Sequence, residues 1–142
     1  SCADTDYAIG RGVVMAEGKD VLFITTGITA QIALEARKLL QAQGVEAGIL
    51  HCHTVRPLDE ENLVRLAGGV KLVVPLEEHV RTGGLSEATA AALMYGMACP
   101  TRCCPVTLPD AFFAEHGSQA DILKAHGLTA ANAARMVKEL LG

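Results

Sequence analysis

The chain has 142 residues, 50% of them hydrophobic, and a formal net charge of −4 at pH 7. This length suits one domain. The sequence has no block of Lys or Arg, which argues against nucleic acid or an anionic membrane as a partner. It also has no apolar run near the ~18 residues that span a membrane.

The opening residues and the cysteines indicate the cellular compartment. The first residues lack the basic start and apolar stretch of a signal peptide, so we expect a cytoplasmic protein. The five cysteines are odd in number and irregularly spaced. This pattern argues against a secreted disulfide framework and predicts reduced thiols.

The predicted elements begin after a short tether. Residues 1–9 show no periodicity and are predicted to be an N-terminal tether, and residues 10–142 are predicted to form one domain. Val13–Ala16, which precedes a turn signal, is predicted as an edge strand. Val21–Thr26 is a continuous β-branched run, which is typical of a buried parallel strand.

Capping signals divide the middle of the chain into helices and a strand. Thr29 is predicted to be the N-cap of a helix, and Gly44 the glycine that ends it. Val45–Cys52 is predicted as the next strand. Pro57 and the acidic residues after it predict a second helix, which Gly68 ends.

The second half repeats the alternation. Val70–Leu76 is predicted as a strand and Ser86–Tyr95 as a helix. Thr101–Thr107 is predicted as a last strand, placed at an edge or bulged because Pro105 cannot donate a ladder bond. Thr129 is predicted to cap a final helix. Strand and helix alternate three times, so we expect an α/β layered domain with a mostly parallel sheet.

Polar loops follow three of the predicted strands, at the edge where open parallel sheets bind ligands. These loops are Thr25–Thr29, His51–Arg56 and Glu77–Gly84. The third loop carries carboxylates, a histidine and an arginine before a Gly-Gly pair whose N–H groups could hold an anion. The alternative is a capping loop whose glycines allow a tight turn and close helix packing. The candidate ligand or anion contacts are Thr26, Thr29, Glu78, His79, Arg81, Gly83 and Gly84.

Other kinds of site are disfavoured. His51 and His53 share one face of a strand beside Cys52, but no zinc-type ligand pairing accompanies them, so we expect no metal. The P-loop, the dinucleotide fingerprint and the Gly-x-Ser-x-Gly elbow are missing from the sequence. A Cys–His nucleophile pair stays open, although no local motif supports it.

Four segments follow one another at a characteristic spacing: Gly18–Val21, Thr54–Asp59, Val74–His79 and Gly83–Leu85. Together they resemble the C-terminal domain of transketolases, although one glycine that the family usually has before Ser86 is missing here. The closing segment Leu108–Phe112 also resembles the end of 1-deoxy-D-xylulose 5-phosphate synthase.

The resemblance implies a three-layer α/β/α domain with a five-stranded, mostly parallel mixed sheet whose first strand is antiparallel. It also implies that thiamine diphosphate and Mg²⁺ belong to the parent enzyme. One further domain would bind the diphosphate and metal, and another the pyrimidine ring. This domain would bind no cofactor and no metal, carry no catalytic residue, pack beside those domains and help to build a homodimer.

Three functions follow as hypotheses. The first is a structural and assembly domain, inactive alone, of an enzyme that transfers ketol units between sugar phosphates, or of a 1-deoxy-D-xylulose 5-phosphate synthase. The second is a regulatory module that binds a metabolite at the strand-end loops. The third is the equivalent domain of a 2-oxo acid dehydrogenase β subunit.

Overall fold

The structure is a computed structural model that describes residues 10–78, 84–108 and 119–142. It describes their side chains except at positions 78, 108 and 119–128. The predicted tether of residues 1–9 lies outside the described residues. Within the described part of the chain, no helix is both long and apolar enough to cross a membrane.

The described chain alternates strands and helices. The helices are α1 (Thr29–Gln41), α2 (Glu60–Ala67), α3 (Gly84–Gly96) and α4 (Gln119–Leu141). The strands are β1 (Gly12–Ala16), β2 (Val21–Thr25), β3 (Ala47–Cys52), β4 (Leu72–Glu78), β5 (Arg102–Cys103) and β6 (Val106–Leu108).

The sheet is mixed, as predicted. Its strand order is β1-β3-β2-β4-β5, and β6 also pairs with β4. β1 runs antiparallel to β3, whereas β2, β3, β4, β5 and β6 pair in parallel. The predicted fold class is therefore confirmed, with a central parallel sheet and an antiparallel first strand.

The last predicted strand is present as two pieces. β5 pairs with β4 at Leu72 and Val73, and β6 pairs with it from Leu76 onward. Between them, the N–H of Cys104 still donates to the carbonyl of Val73 at 2.9 Å. Pro105 follows and has no N–H to donate, so the ladder breaks there. The sheet is thus five strands wide, with its outer strand interrupted.

The two faces of the sheet bury two separate cores. Val21 and Phe23 of β2 pack with α1 and α4, whereas Leu22 and Ile24 pack with α2 and α3. This alternation is what the period of two along a strand requires. Each fully buried side chain of this size contributes about 1.5–3 kcal/mol relative to an exposed one.

The helix ends agree with the sequence at Gly44 and differ from it at two threonines. Gly44 has φ +78° and the N–H of Val45 donates to the carbonyl of Leu40, which makes Gly44 the predicted C′ glycine. The N-cap predictions for Thr29 and Thr129 are wrong. Thr29 is the first residue of α1, and Thr129 lies inside α4. Thr129 is buried, and burial outweighs its modest cost within a helix.

Candidate functional site

The candidate site lies at the carboxyl edge of the sheet. Strand β2 runs between β3 and β4, and all three are parallel, so their carboxyl ends meet at this edge. The helix after β2 packs on one face of the sheet, and the helices after β3 and β4 pack on the other. Helices α1 and α3 thus lie on opposite faces of the sheet, and we expect a crevice between the points where they begin, because open α/β sheets bind ligands at such a place.

The first wall of this crevice is the loop after β2. The hydroxyl of Thr29 donates to the carbonyl of Thr26 at 2.8 Å and accepts from the N–H of Thr26 at 3.0 Å. Thr29 is fully buried, whereas Thr26 is half-buried. The structure thus brings these two predicted residues together, with the Thr29 hydroxyl holding the loop and the Thr26 side chain nearer to solvent.

The second wall is formed by the end of β4 and the start of α3. Glu78 is the last residue of β4 and Gly84 is the first residue of α3. The predicted contacts His79, Arg81 and Gly83 lie outside the described residues. A Cβ atom added to Gly84 would meet no atom of the described residues within 4 Å. Close packing against the described helices and strands, which was the alternative explanation for these glycines, therefore does not apply to Gly84.

Glu77 joins the two elements of the second wall. Its side chain is only 3% exposed, and its carboxylate accepts a hydrogen bond from the N–H of Ser86 at 2.9 Å. A negative group in the first turn of a helix is favourable. The sequence predicts a loop at Glu77, whereas the structure places it in β4. Because alternate residues of a strand point to the same face, a strand prediction that reached Glu77 would have placed its side chain on the same face as Val73, toward α3.

Thr25 and His51 connect the first wall to the neighbouring strand. The Oγ1 atom of fully buried Thr25 lies 2.8 Å from Nδ1 of His51. The His51 ring is 5.4 Å from that of His53, edge to face. Burial lowers the pKa of His51 below its ordinary value, and the charge of His53 lowers it further. His51 is therefore neutral at pH 7, and its Nδ1 atom can accept a hydrogen bond from the Thr25 hydroxyl.

Asp59 fixes the start of α2 against the first strand. Its carboxylate accepts from the N–H of Gly12 at 2.7 Å, from the N–H of Asn62 at 3.2 Å and from the Asn62 side chain at 2.7 Å. Burial alone would raise the pKa of Asp59. The hydrogen bonds from Gly12 and Asn62, with the charge of Arg11, hold it below its usual value.

The buried thiols of the described chain are not activated. Burial, and then the charge of Asp59, raises the pKa of Cys52 to about 11. Burial also raises the pKa of Cys103 to about 11. Both thiols are protonated at neutral pH, and the thiolate is the nucleophilic form, so neither supports a Cys–His nucleophile. Among the described residues, no three His, Cys, Asp or Glu side chains are grouped to hold a metal.

A solvent-open cleft of about 500 Å³ lies beside the same edge of the sheet. One side is the loop between β3 and α2, and the other side is α3. Five of its eight lining residues are apolar, and the other three, Arg56, Glu60 and Glu87, are charged. The lining residues are Val55, Arg56, Pro57, Leu58, Glu60, Glu87, Ala88 and Ala91.

Comparison with known proteins decides the family. Residues 10–132 match the family described as "Transketolase, C-terminal domain". The chain belongs to this family. The resemblance seen in the sequence is thereby confirmed, and the sheet with one antiparallel strand is the fold of a transketolase C-terminal domain.

In two relatives, the region similar to this transketolase C-terminal domain is part of a longer chain. A 1-deoxy-D-xylulose-5-phosphate synthase of Heliobacterium modesticaldum is 37% identical over 96% of this chain and 21% of its own length. A solved split-gene transketolase, an inactive beta4 tetramer, is 38% identical with a TM-score of 0.77, over 95% of this chain and 43% of that chain. The chain therefore spans about a fifth of the first relative and less than half of the second.

A third match shares the fold alone. A 2-oxoglutarate:ferredoxin oxidoreductase from Magnetococcus marinus has a TM-score of 0.60 at 15% identity, over 99% of this chain and 21% of that chain. This similarity extends the transketolase C-terminal fold to an enzyme that acts on a 2-oxo acid.

The two buried carboxylates at the carboxyl edge of this transketolase C-terminal domain do not fit a diphosphate bound through Mg²⁺. Such a metal is held by carboxylate oxygens and water. At the carboxyl edge, the carboxylates of Asp59 and Glu77 are buried and accept hydrogen bonds from backbone N–H groups. These carboxylates serve the fold and are not exposed to a metal.

Proposed function

We propose that this chain is the C-terminal assembly domain of a thiamine-diphosphate-dependent transketolase-type enzyme. The parent would transfer ketol units between sugar phosphates or would be a 1-deoxy-D-xylulose 5-phosphate synthase. Thiamine diphosphate and Mg²⁺ would be held by pyrimidine- and diphosphate-binding domains or subunits. Those parts lie outside these 142 residues, and this domain alone would be inactive.

The extent of the similarity carries this proposal. The match covers 96% of this chain but only 21% of the synthase, so most of the related enzyme corresponds to other residues. The geometry of the carboxyl edge supports the same division of labour. Thr25 with His51, and Glu77 with Ser86, tie strands and a helix together, which suits a rigid packing domain.

Self-association is part of the proposal. The related split-gene transketolase forms a beta4 tetramer that is inactive. By analogy, we expect copies of this domain to contact one another, as the predicted homodimer contact requires, while activity depends on the missing domains. We also propose a cytoplasmic location, which cell fractionation would check.

Calorimetry tests the proposed division of labour. The chain is titrated with thiamine diphosphate in the presence of Mg²⁺, and the same titration is made after adding the pyrimidine- and diphosphate-binding domains of a related enzyme. We expect heat of binding and ketol transfer only in the second case. A micromolar affinity of the chain alone for the cofactor would contradict the proposal.

A regulatory module is the second candidate function. Two observations favour it: α1 and α3 lie on opposite faces of the sheet at this edge, and a Cβ atom added to Gly84 would meet no atom of the described residues within 4 Å. In this view Thr26, Glu78 and Gly84, with His79, Arg81 and Gly83, would contact a phosphorylated or carboxylated metabolite. The predicted contact Thr29 is fully buried and would act by holding the loop that carries Thr26. Calorimetry with xylulose 5-phosphate, and with inorganic phosphate as a control, tests it. Absence of heat at millimolar ligand would count against regulation.

The equivalent domain of a 2-oxo acid dehydrogenase β subunit is a third candidate. Its support is the shared fold of the 2-oxoglutarate:ferredoxin oxidoreductase at 15% identity. The relatives at 37% and 38% identity favour the first candidate. Failure of an acyltransferase core to capture the chain in a pull-down would remove this third possibility.

A further inference from the structure

Helix α3 is apolar around its whole circumference. Its 13 residues, Gly84–Gly96, include one charged side chain, Glu87. The inner face is buried against the sheet through Leu85, Thr89, Ala92 and Leu93. On the outer face, Met94 is 68% exposed and Tyr95 is 89% exposed. A helix that is hydrophobic on all sides is normally buried on all sides, so this outer face indicates a contact with another surface.

The outer face of α3 contrasts with those of α2 and α4. Helix α2 exposes Glu60, Glu61 and Arg65, and α4 exposes an ion pair between Arg135 and Glu139 at 3.1 Å. The apolar face of α3 also continues into the neighbouring cleft, whose opposite wall combines Val55, Pro57 and Leu58 with the charged side chains of Arg56 and Glu60. The α3 surface is defined here as Glu87, Ala88, Ala90, Ala91, Met94 and Tyr95.

We propose that the α3 surface binds the α3 surface of a second copy of this chain, with the two helices antiparallel around a two-fold axis at Ala91. The proposal rests on the assembly role proposed above and names the contact through which copies associate. Ala91 is exposed and small, and Ala88 lies one turn before it. Small residues at a crossing point allow two helix axes to approach to about 8 Å.

The order of residues along α3 makes this surface complementary to itself. Around an axis at Ala91, residues at equal distances before and after it face each other, as in any isologous contact. Glu87 then lies opposite Tyr95 of the second copy, and Ala88 lies opposite Met94 of the second copy. The Tyr95 hydroxyl can donate to the Glu87 carboxylate at each end of the interface.

The Glu87–Tyr95 pair cannot form within one helix. Eight residues of helix span about 12 Å, which is too far for a hydrogen bond. A second copy supplies both missing partners at once, since each helix carries one carboxylate and one hydroxyl. A contact between two short helices lies at the small end of interface sizes, so we expect a reversible dimer with a dissociation constant on the order of 100 μM.

Sedimentation equilibrium of the chain from about 10 μM to 1 mM tests the contact. Ala91→Glu would place two carboxylates face to face at the axis, and we expect the dissociation constant to rise at least tenfold. The matched control is Ala131→Glu, at an exposed alanine of α4, which should leave association unchanged. Circular dichroism checks that both variants are folded.

A double-mutant cycle tests the register. Tyr95→Phe and Glu87→Gln should each weaken association about threefold to tenfold, and the double variant no more than either single one, because both remove the same hydrogen bond. Three results would overturn the proposal. The chain could stay monomeric at 1 mM, Ala91→Glu and Ala131→Glu could weaken association equally, or the effects of Tyr95→Phe and Glu87→Gln on association could be additive. The calorimetric test of cofactor binding does not depend on dimerisation. A monomer that binds no cofactor would therefore contradict this interface and the proposed self-association, but it would leave the proposed division of labour standing.

Discussion

The hydroxyl oxygen of Thr25 lies 2.8 Å from Nδ1 of His51, and this contact joins the carboxyl ends of two adjacent parallel strands. The two residues also face each other in the strand register. Thr25 is fully buried, so His51 is the group that satisfies its hydroxyl at the edge where the candidate crevice opens. The contact therefore belongs both to the fold and to the shape of the site.

Replacing Thr25 by valine keeps the shape of the side chain and removes this hydrogen bond. We expect Thr25→Val to lower the free energy of unfolding by about 1 kcal/mol, since His51 is only half-buried and water can reach its ring. Urea denaturation measures the change. Thr25→Ser, which keeps the hydroxyl, should restore the His51 chemical shifts in NMR spectra. A Val variant as stable as the original chain would contradict the prediction.

The pKa of His51 makes the stability depend on pH. In the folded chain this pKa lies below the ordinary value of 6.5, because of burial and then His53. The unfolded chain therefore binds the proton more readily, and stability present above about pH 7 should be lost as the pH falls through 6.5 toward the folded pKa. We expect His51→Gln to flatten this dependence. Urea midpoints for both proteins at several values between about pH 8 and pH 5 check it.

All the other ionisable groups are common to both proteins, so the comparison with His51→Gln measures the contribution of His51. If the original chain gained stability relative to His51→Gln as the pH fell, the direction assigned to the pKa of His51 would be wrong.

Asp59 should be among the polar side chains that matter most for stability. Asp59→Ala removes the acceptor for Gly12 and for both donors of Asn62, including the N-cap bond of α2. We expect a loss of about 2–3 kcal/mol in the free energy of unfolding. Glu61→Ala, at an exposed position in the first turn of α2, is the control and should change it by less than about 0.5 kcal/mol. Equal effects of the two variants would refute this role.

The sequence predicted the fold well because its strands are continuous apolar runs and its turns carry glycine or proline. Gly44 was predicted at a helix end and has that conformation. The caps at Thr29 and Thr129 were mispredicted because a threonine near an apolar run suits both a cap and a buried helical position. The Thr25–His51 contact depends on strand register, which a single sequence does not specify. The alternation of side chains along β4 could have placed Glu77 on the face of the sheet that packs against α3.

Two glycines should respond in opposite ways to alanine. A Cβ atom at Gly18 would lie 2.5 Å from the carbonyl carbon of Ala47, which is backbone and cannot move aside cheaply. We expect Gly18→Ala to cost about 2–4 kcal/mol of stability. Gly84→Ala meets no atom within 4 Å and should be neutral or stabilising by up to about 1 kcal/mol. Scanning calorimetry of both variants gives the comparison, and similar melting temperatures would refute it.

The interrupted outer strand has a consequence for how separate copies of the chain meet. β5 and β6 are two and three residues long and are separated by Cys104 and Pro105, and at the opposite edge β1 has a register shift between Val14 and Ala16. Within the described sheet, neither border offers a long, regular row of free backbone groups on which another chain could add a strand and start fibril-like aggregation. We therefore expect concentrated solutions of the chain to resist sheet-to-sheet polymerisation.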